Sequence, residues 1–168
     1  MRSGEERRTS MVEVALRPVE DDDLDALFDQ MRDPESVRMA AFIARDPNDR
    51  EAFDLHMAKL RTSPDIILRA VTGDGRFLGT VGSFFVEGDA EVTYWIDRSA
   101  WGRGIASRAL ALLLDMVEVR PVYARAASDN LGSLRVLQKA GFSVIGTENA
   151  YASARDAEIE ETVLRLDR

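Results

Sequence analysis

The sequence predicts a mixed α+β domain, one mostly antiparallel central sheet of about seven strands with helices on its faces. Three observations carry this. Period-two apolar runs joined by tight glycine turns, at Gly73-Asp74-Gly75 and Glu87-Gly88-Asp89, mark an antiparallel meander between residues 66 and 97. Helical-period apolar runs precede it, from Leu24 to about Arg61. After it, strand-like and helix-like segments alternate to the end.

Taken in order, Val12–Arg17 is a short strand ended by Pro18. The run Asp21-Asp22-Asp23 supplies an N-cap and negative charge to a helix start, with Leu24, Leu27, Phe28 and Met31 at helical spacing. A capped helix start explains that triplet better than a metal site does. Pro34 opens a second helix toward Ile43. Asp46-Pro47 reads as an N-cap followed by proline at the first helical position, starting a helix to about Arg61. The meander strands follow at Ile66–Val71, Phe77–Val86 and Glu91–Asp97. A loop, Arg98–Arg103, leads into an apolar helix reaching about Val119. Val122–Ala127 is a strand, and Leu131–Ala140 is a helix closed by Gly141 as its C′ residue. Phe142–Gly146 and Glu160–Leu166 complete the strands, joined by a polar loop around Tyr151.

A chain of 168 residues with 45% hydrophobic content suits one domain, expected over residues 11–168 behind a loose charged tail at 1–10. No apolar run reaches the ~20 residues a bilayer span requires. There is no cysteine, which excludes disulfides, thiolate nucleophiles and cysteine-ligated metal, and which suits a reducing cytoplasm. The net charge of −8 repels nucleic-acid phosphates and favours cationic partners such as amines.

The chemistry concentrates in Trp95-Ile96-Asp97-Arg98-Ser99-Ala100-Trp101-Gly102-Arg103-Gly104-Ile105-Ala106-Ser107. A strand ends, glycines permit a turn, and a helix starts with its first amides unobstructed, an arrangement suited to a pyrophosphate. Arg103 adds a positive charge. A bare helix start with flexible glycines is the alternative reading. The spacing Gly102-x-Gly104-x-x-Ser107 imitates a dinucleotide fingerprint, but that fold needs parallel βα units and here a meander leads in. With no Gly-Lys-Ser/Thr, a P-loop is excluded.

Trp101-Gly102-Arg103-Gly104-Ile105-Ala106 resembles the Gln/Arg-x-x-Gly-x-Gly/Ala loop with which GNAT-superfamily acetyltransferases grip the pyrophosphate of acetyl-CoA. Trp101 stands where Gln or Arg is usual, as in the branch of ribosomal-protein N-terminal acetyltransferases (RimJ/RimL-like). Ala90–Ile96 resembles that family's central strand. Asn130-Leu131-Gly132-Ser133 with Lys139-Ala140-Gly141-Phe142 resembles its second motif, so the resemblance covers Phe77–Gly146. It implies a sheet splayed between its fourth and fifth strands, acetyl-CoA as acyl donor without a metal, an amine acceptor on a small molecule or peptide, and a homodimer.

The resemblance also implies roles. Glu91 matches a general base, acting directly or through water. Ser133 is placed to protonate the leaving thiolate, water being the alternative, since Leu137 stands where relatives often carry a tyrosine. Asn130 matches a pantetheine ligand and is equally a helix N-cap. Trp95, Ile96 and Asp97 form the strand whose backbone N–H polarises the thioester carbonyl. Apart from the resemblance, Tyr151 and Arg155 lie in the loop between the last strands, placed either to border the acceptor site or simply in a mobile loop. A non-enzymatic acyl-CoA-binding regulatory module is the competing function, needing the glycine loop but neither Glu91 nor Ser133.

Overall fold

A computed structural model describes residues 12–43 and 46–168; the expected tail at 1–10 lies outside them. Seven strands form one sheet in the order β1-β2-β3-β4-β5-β7-β6. They are β1 (Val14–Arg17), β2 (Ile67–Gly73), β3 (Arg76–Val86), β4 (Asp89–Ile96), β5 (Val122–Ala127), β6 (Ser143–Ala152) and β7 (Ala157–Leu166). Five helices accompany them: α1 (Leu24–Met31), α2 (Pro34–Ala40), α3 (Arg50–Thr62), α4 (Ile105–Met116) and α5 (Leu131–Lys139). All strand pairs are antiparallel except β4–β5.

That exception shapes the molecule. The parallel strands β4 and β5 pair only at Ala90–Val122 and Glu91–Tyr123, then part company. β4 stays zipped to β3 through Ile96, and β5 stays zipped to β7 through Ala127. A gap therefore opens between two well-supported strands, in the expected place.

Each sheet face has its own core. Ala90, Val92 and Ile96 of β4 pack with Ile105, Ala109, Leu110 and Leu113 of α4 and Leu137 of α5. On the opposite face, Leu27 and Met57 of α1 and α3 pack on Ala70 of β2. Turn chemistry holds the meander: Asp74 and Gly75, then Glu87 and Gly88, all take positive φ, which hairpin turns demand.

Three expectations change. α3 starts one turn later than Asp46-Pro47 implies. Asp46 Oδ1 instead accepts from the Asn48 amide at 2.9 Å, an Asx turn, and Asp49 caps the helix through the Ala52 amide at 3.0 Å. The final strands are much longer than Phe142–Gly146 and Glu160–Leu166, so Tyr151 lies on β6, paired with Glu158. β6 is an edge strand exposed on both faces, so no alternation of apolar residues marks it. Finally, the aspartate triplet does more than start a helix. Asp23 turns inward, accepts from the Glu20 amide at 2.8 Å, and pairs with both terminal nitrogens of Arg17 at 2.6 and 2.8 Å.

That pair makes a stability prediction. The hydrogen bond from Arg17 holds the Asp23 carboxyl below its usual 3.8. The folded state thus gives up this proton more readily than the unfolded chain. The stabilisation is complete above the unfolded value and is lost as pH falls through the folded one. Arg17→Ala leaves a carboxylate that is 5% exposed without its partner, at an expected cost of about 2–3 kcal/mol. Urea titrations between pH 3 and 7 should show that loss at neutral pH and a flatter acid dependence in the variant.

Candidate active site

The gap between β4 and β5 leads to the start of α4. Gly102 and Gly104 take φ of 74° and 75°, the left-handed region that side chains with a Cβ disfavour. Gly104 is the N-cap of α4, and no side chain caps the helix there. The first intrahelical bond runs from the Arg108 amide to Gly104 O at 3.2 Å. The amides of Ile105, Ala106 and Ser107 are thus left facing outward at the positive end of the helix dipole. A Cβ added at Gly102 or Gly104 would meet nothing within 4 Å, so the space beside these two glycines is open.

The loop is tied down from both sides. Trp101 Nε1 donates to Ile96 O at 2.8 Å, so the indole stitches the loop to the end of β4. Beneath, Arg108 donates to Gly104 O and Arg103 O, both at 3.3 Å, and to Val12 O. Arg103 itself is exposed.

Along β4, hydrogen bonding separates the three strand residues of interest. The Asp97 amide donates to Leu78 O on β3 at 2.8 Å. By two-residue alternation the Trp95 amide also faces β3, whereas those of Tyr94 and Ile96 face the gap. With Ile96 O held by Trp101, the Ile96 N–H is the edge donor nearest the loop. The Asp97 side chain turns back instead, accepting from Ser99 N and Oγ at 2.8 and 2.7 Å.

At the far side of the gap, α5 begins. Asn130 Oδ1 accepts from the Ser133 amide at 3.2 Å, and its Nδ2 donates to Met39 O at 3.3 Å. Both ends of this side chain are engaged, so it caps α5 and anchors α2 to it. Ser133 Oγ lies 2.6 Å from the Tyr94 hydroxyl, which also reaches Ser133 O at 3.2 Å. Burial pushes the Tyr94 phenol up to about 12, against the opposing pull of its bond with Ser133. Tyr94 was not legible beforehand: its partner is 39 residues away, and strand alternation puts it opposite Glu91.

Glu91 sits on the face of β4 that looks toward α1–α3, and it is not alone. Its Oε1 is 3.4 Å from Arg125 Nε, and Arg125 also binds Glu148 at 2.8 Å and Glu161 at 3.1 Å. Glu148 and Glu161 face each other across β6 and β7, a repulsive pair that the guanidinium offsets. The result is an acidic sheet face organised around one arginine.

Arg155 turns out to be a strap. It binds Asp129 through two contacts, one of them 2.9 Å from Nη2 to Oδ1, and donates to Arg38 O at 2.9 Å. Nearby, Ser153 Oγ donates to Ile43 O at 2.9 Å and the Ala154 amide to Ala41 O at 3.1 Å. These bonds fasten the β6–β7 turn over the end of α2. Tyr151 is exposed and bonds only to Asp156 among the described residues.

A splayed parallel pair opening onto an uncapped, glycine-led helix is the signature to compare with known proteins. The acetyltransferase (GNAT) domain model matches residues 13–143. The chain belongs to the GNAT acetyltransferase family. A probable N-acetyltransferase of Bacillus subtilis, YjcK, is 36% identical over 77 residues. That match covers 41% of this chain and 42% of YjcK, well under half of the relative's length. Among solved structures, Mycobacterium smegmatis RimJ in complex with CoA-disulfide superposes with a TM-score of 0.77. It is 23% identical, over 92% of this chain and 81% of that one. Spermidine N-acetyltransferase from Vibrio cholerae, in complex with CoA and spermine, gives 0.75 at 15% identity, over 92% and 95%. At these identities the structural matches speak for the GNAT fold. Among the described residues, no helix is long and apolar enough to cross a membrane, and no cluster of three or more potential ligands is arranged to hold a metal ion.

Proposed function

We propose that this GNAT domain is an acetyl-CoA-dependent N-acetyltransferase that acts on a primary amine, on a small cationic molecule or a protein N-terminus, by direct attack. The observation that carries the reading is the unpaired edge of β4 beyond Glu91, leading to the uncapped amides of Ile105, Ala106 and Ser107. An extended pantetheine arm needs such an edge to hydrogen-bond, and a pyrophosphate needs such a helix start. Both are present, and nothing in the protein fills the space before Gly102 and Gly104. The names of RimJ and of the spermidine acetyltransferase, both solved with CoA ligands, agree with this donor.

Bound acetyl-CoA supplies an activated acyl carbon and a thiolate leaving group. The residues supply the rest. The amides of Ile105–Ser107, with Arg103, hold the pyrophosphate charge, and Gly102 and Gly104 let it approach. Trp101 acts by fixing the loop, and the peptide edges of Trp95, Ile96 and Asp97 line the arm's path, with Ile96 N–H directed at the acyl oxygen as it gains charge. As the amine nitrogen bonds to the acyl carbon and the carbon–sulfur bond breaks, the sulfur gains a proton from Ser133 Oγ, which Tyr94 re-protonates. Solvent water restores the Tyr94 proton as Glu91 releases the one taken from the amine. The attacking nitrogen loses its proton to Glu91, through water. Asn130 places Ser133 by capping α5, and the second N–H of its amide serves the pantetheine arm. The products are an N-acetylamine and free CoA.

A thiol-release assay with acetyl-CoA and a panel of amines and peptides tests this. Acceptor-dependent turnover that falls about tenfold or more in Glu91→Gln supports it, a magnitude at the low end for loss of a general base. Binding of acetyl-CoA without turnover by any acceptor would favour a regulatory acyl-CoA module instead.

A further inference from the structure

Arg125 on β5 serves three carboxylates, more than a surface ion pair requires. It meets Glu148 Oε2 at 2.8 Å, Glu161 Oε1 at 3.1 Å and Glu91 Oε1 at 3.4 Å. The two shorter contacts are made by one nitrogen, Nη1, and the longer one by Nε. Glu148 and Glu161, on β6 and β7, therefore fix the guanidinium, and its Nε edge is presented to β4.

The place of this contact gives it meaning. Glu91 and Tyr123 are the last residues at which β4 and β5 pair. Arg125 stands two residues farther along β5, on the same face as Tyr123. Its side chain thus reaches back across the mouth of the gap. The cross-strand neighbours of Glu91 are aromatic, Phe84 on β3 and Tyr123 on β5, and neither is a cation. Among the described residues, Arg125 alone pairs with Glu91. The Glu91 side chain is 13% exposed, so water does little to replace that partner.

The bond also differs in kind from a structural ion pair. Between Arg17 and Asp23 both carboxylate oxygens are gripped, at 2.6 and 2.8 Å. Glu91 is held through Oε1 alone, at the longest of the three Arg125 distances. Such a contact aims a carboxylate and leaves its other oxygen free to take a proton.

The geometry points to Arg125 as a positioning residue of the transfer reaction: tethered by Glu148 and Glu161, it holds Glu91 at the mouth of the gap, one oxygen turned to the water that takes the amine proton. This rests on the reading of Glu91 as the base, and the experiment separates the two. Thiol release is measured with acetyl-CoA and the fastest acceptor of the panel above, for wild type, Glu91→Gln, Arg125→Gln and the double variant. Arg125→Gln should lower kcat about fivefold or more, as misplacement of a reacting group does, with the KM for acetyl-CoA changed less than about twofold. In the Glu91→Gln background the same substitution should cost less than about twofold, because both act on one proton transfer. Full activity of Arg125→Gln, or a loss that multiplies with that of Glu91→Gln, overturns the proposal and leaves the base reading standing.

Because Arg125→Gln strands three carboxylates, Arg125→Gln/Glu161→Gln is measured beside it, with one like charge removed. A melting temperature that recovers in this variant while kcat stays low supports positioning. A kcat that recovers with the melting temperature makes the arginine merely structural and overturns the proposal. Carboxyl-carbon NMR of the isotopically labelled protein needs no turnover. The Glu91 resonance, assigned by its absence in Glu91→Gln, should move in Arg125→Gln. If it moves while Glu91→Gln keeps full activity, Arg125 still positions Glu91 and only the base reading falls. A resonance that stays in place overturns the proposal.

Discussion

Gly104→Val is expected to weaken acetyl-CoA binding by about 100-fold or more, equivalent to some 2.7 kcal/mol, while the melting temperature falls by only a few degrees. Gly104 holds φ at 75°, where a β-branched residue is a true outlier. The left-handed conformation costs even an ordinary side chain roughly 1–2 kcal/mol. A valine escapes this cost by rebuilding the turn, which swings the amides of Ile105, Ala106 and Ser107 away from their common focus. The helix behind survives because Ile105, Ala109, Leu110 and Leu113 are at most 1% exposed and packed in the main core. Affinity and stability should therefore separate. Isothermal titration with acetyl-CoA beside a thermal melt checks both, and an equal loss in each would mean that the loop is merely structural.

The second large effect belongs to Ser133 and Tyr94. Ser133→Ala should lower kcat by about 10²-fold, as expected for loss of a positioned proton donor. The KM for acetyl-CoA should change much less. Tyr94→Phe keeps the ring in its packed position and removes only the hydroxyl 2.6 Å from Ser133 Oγ, so its loss should be smaller, about tenfold. The double variant should lose little more than Ser133→Ala alone, because both act on one proton. With its phenol pushed up to about 12, Tyr94 stays protonated through any practical assay, and its removal should lower kcat evenly between pH 6 and 9. The folded state holds this proton more tightly than the unfolded chain does. Stability should consequently fall as pH rises from about 10 toward 12, and Tyr94→Phe should remove that dependence. A melting temperature that drops while kcat holds would make the pair a packing contact.

What could be read in the residues follows the physics of each element. The meander declared itself because its turns need positive φ and its strands alternate. The loop Trp101–Ala106 did so because two glycines, before an apolar helix, are required by backbone shape. The second half of β6, beyond Gly146, stayed hidden because a strand solvated on both faces has no periodicity to betray it. The pairing of Glu91 with Arg125, like that of Tyr94 with Ser133, joins residues 34 and 39 positions apart, and only the pairing of β4 with β5 and the placement of α5 against the sheet bring such partners together. Asn130 was open to two readings; the structure bears out the helix cap, and the contact with pantetheine stays a proposal. Arg108, which braces the glycine loop from below, gave no signal in the sequence beyond an arginine on a helix.

The central claim is that acetyl-CoA lies along the free edge of β4 with its pyrophosphate at the start of α4. Amide NMR of the isotopically labelled protein, titrated with CoA, tests it residue by residue. The largest shifts are expected at Ile96, Gly102–Ser107 and Ser133, with the β6–β7 turn around Arg155 nearly silent. Saturable binding that instead moves the β6–β7 turn and leaves Gly102–Ser107 unchanged would contradict it.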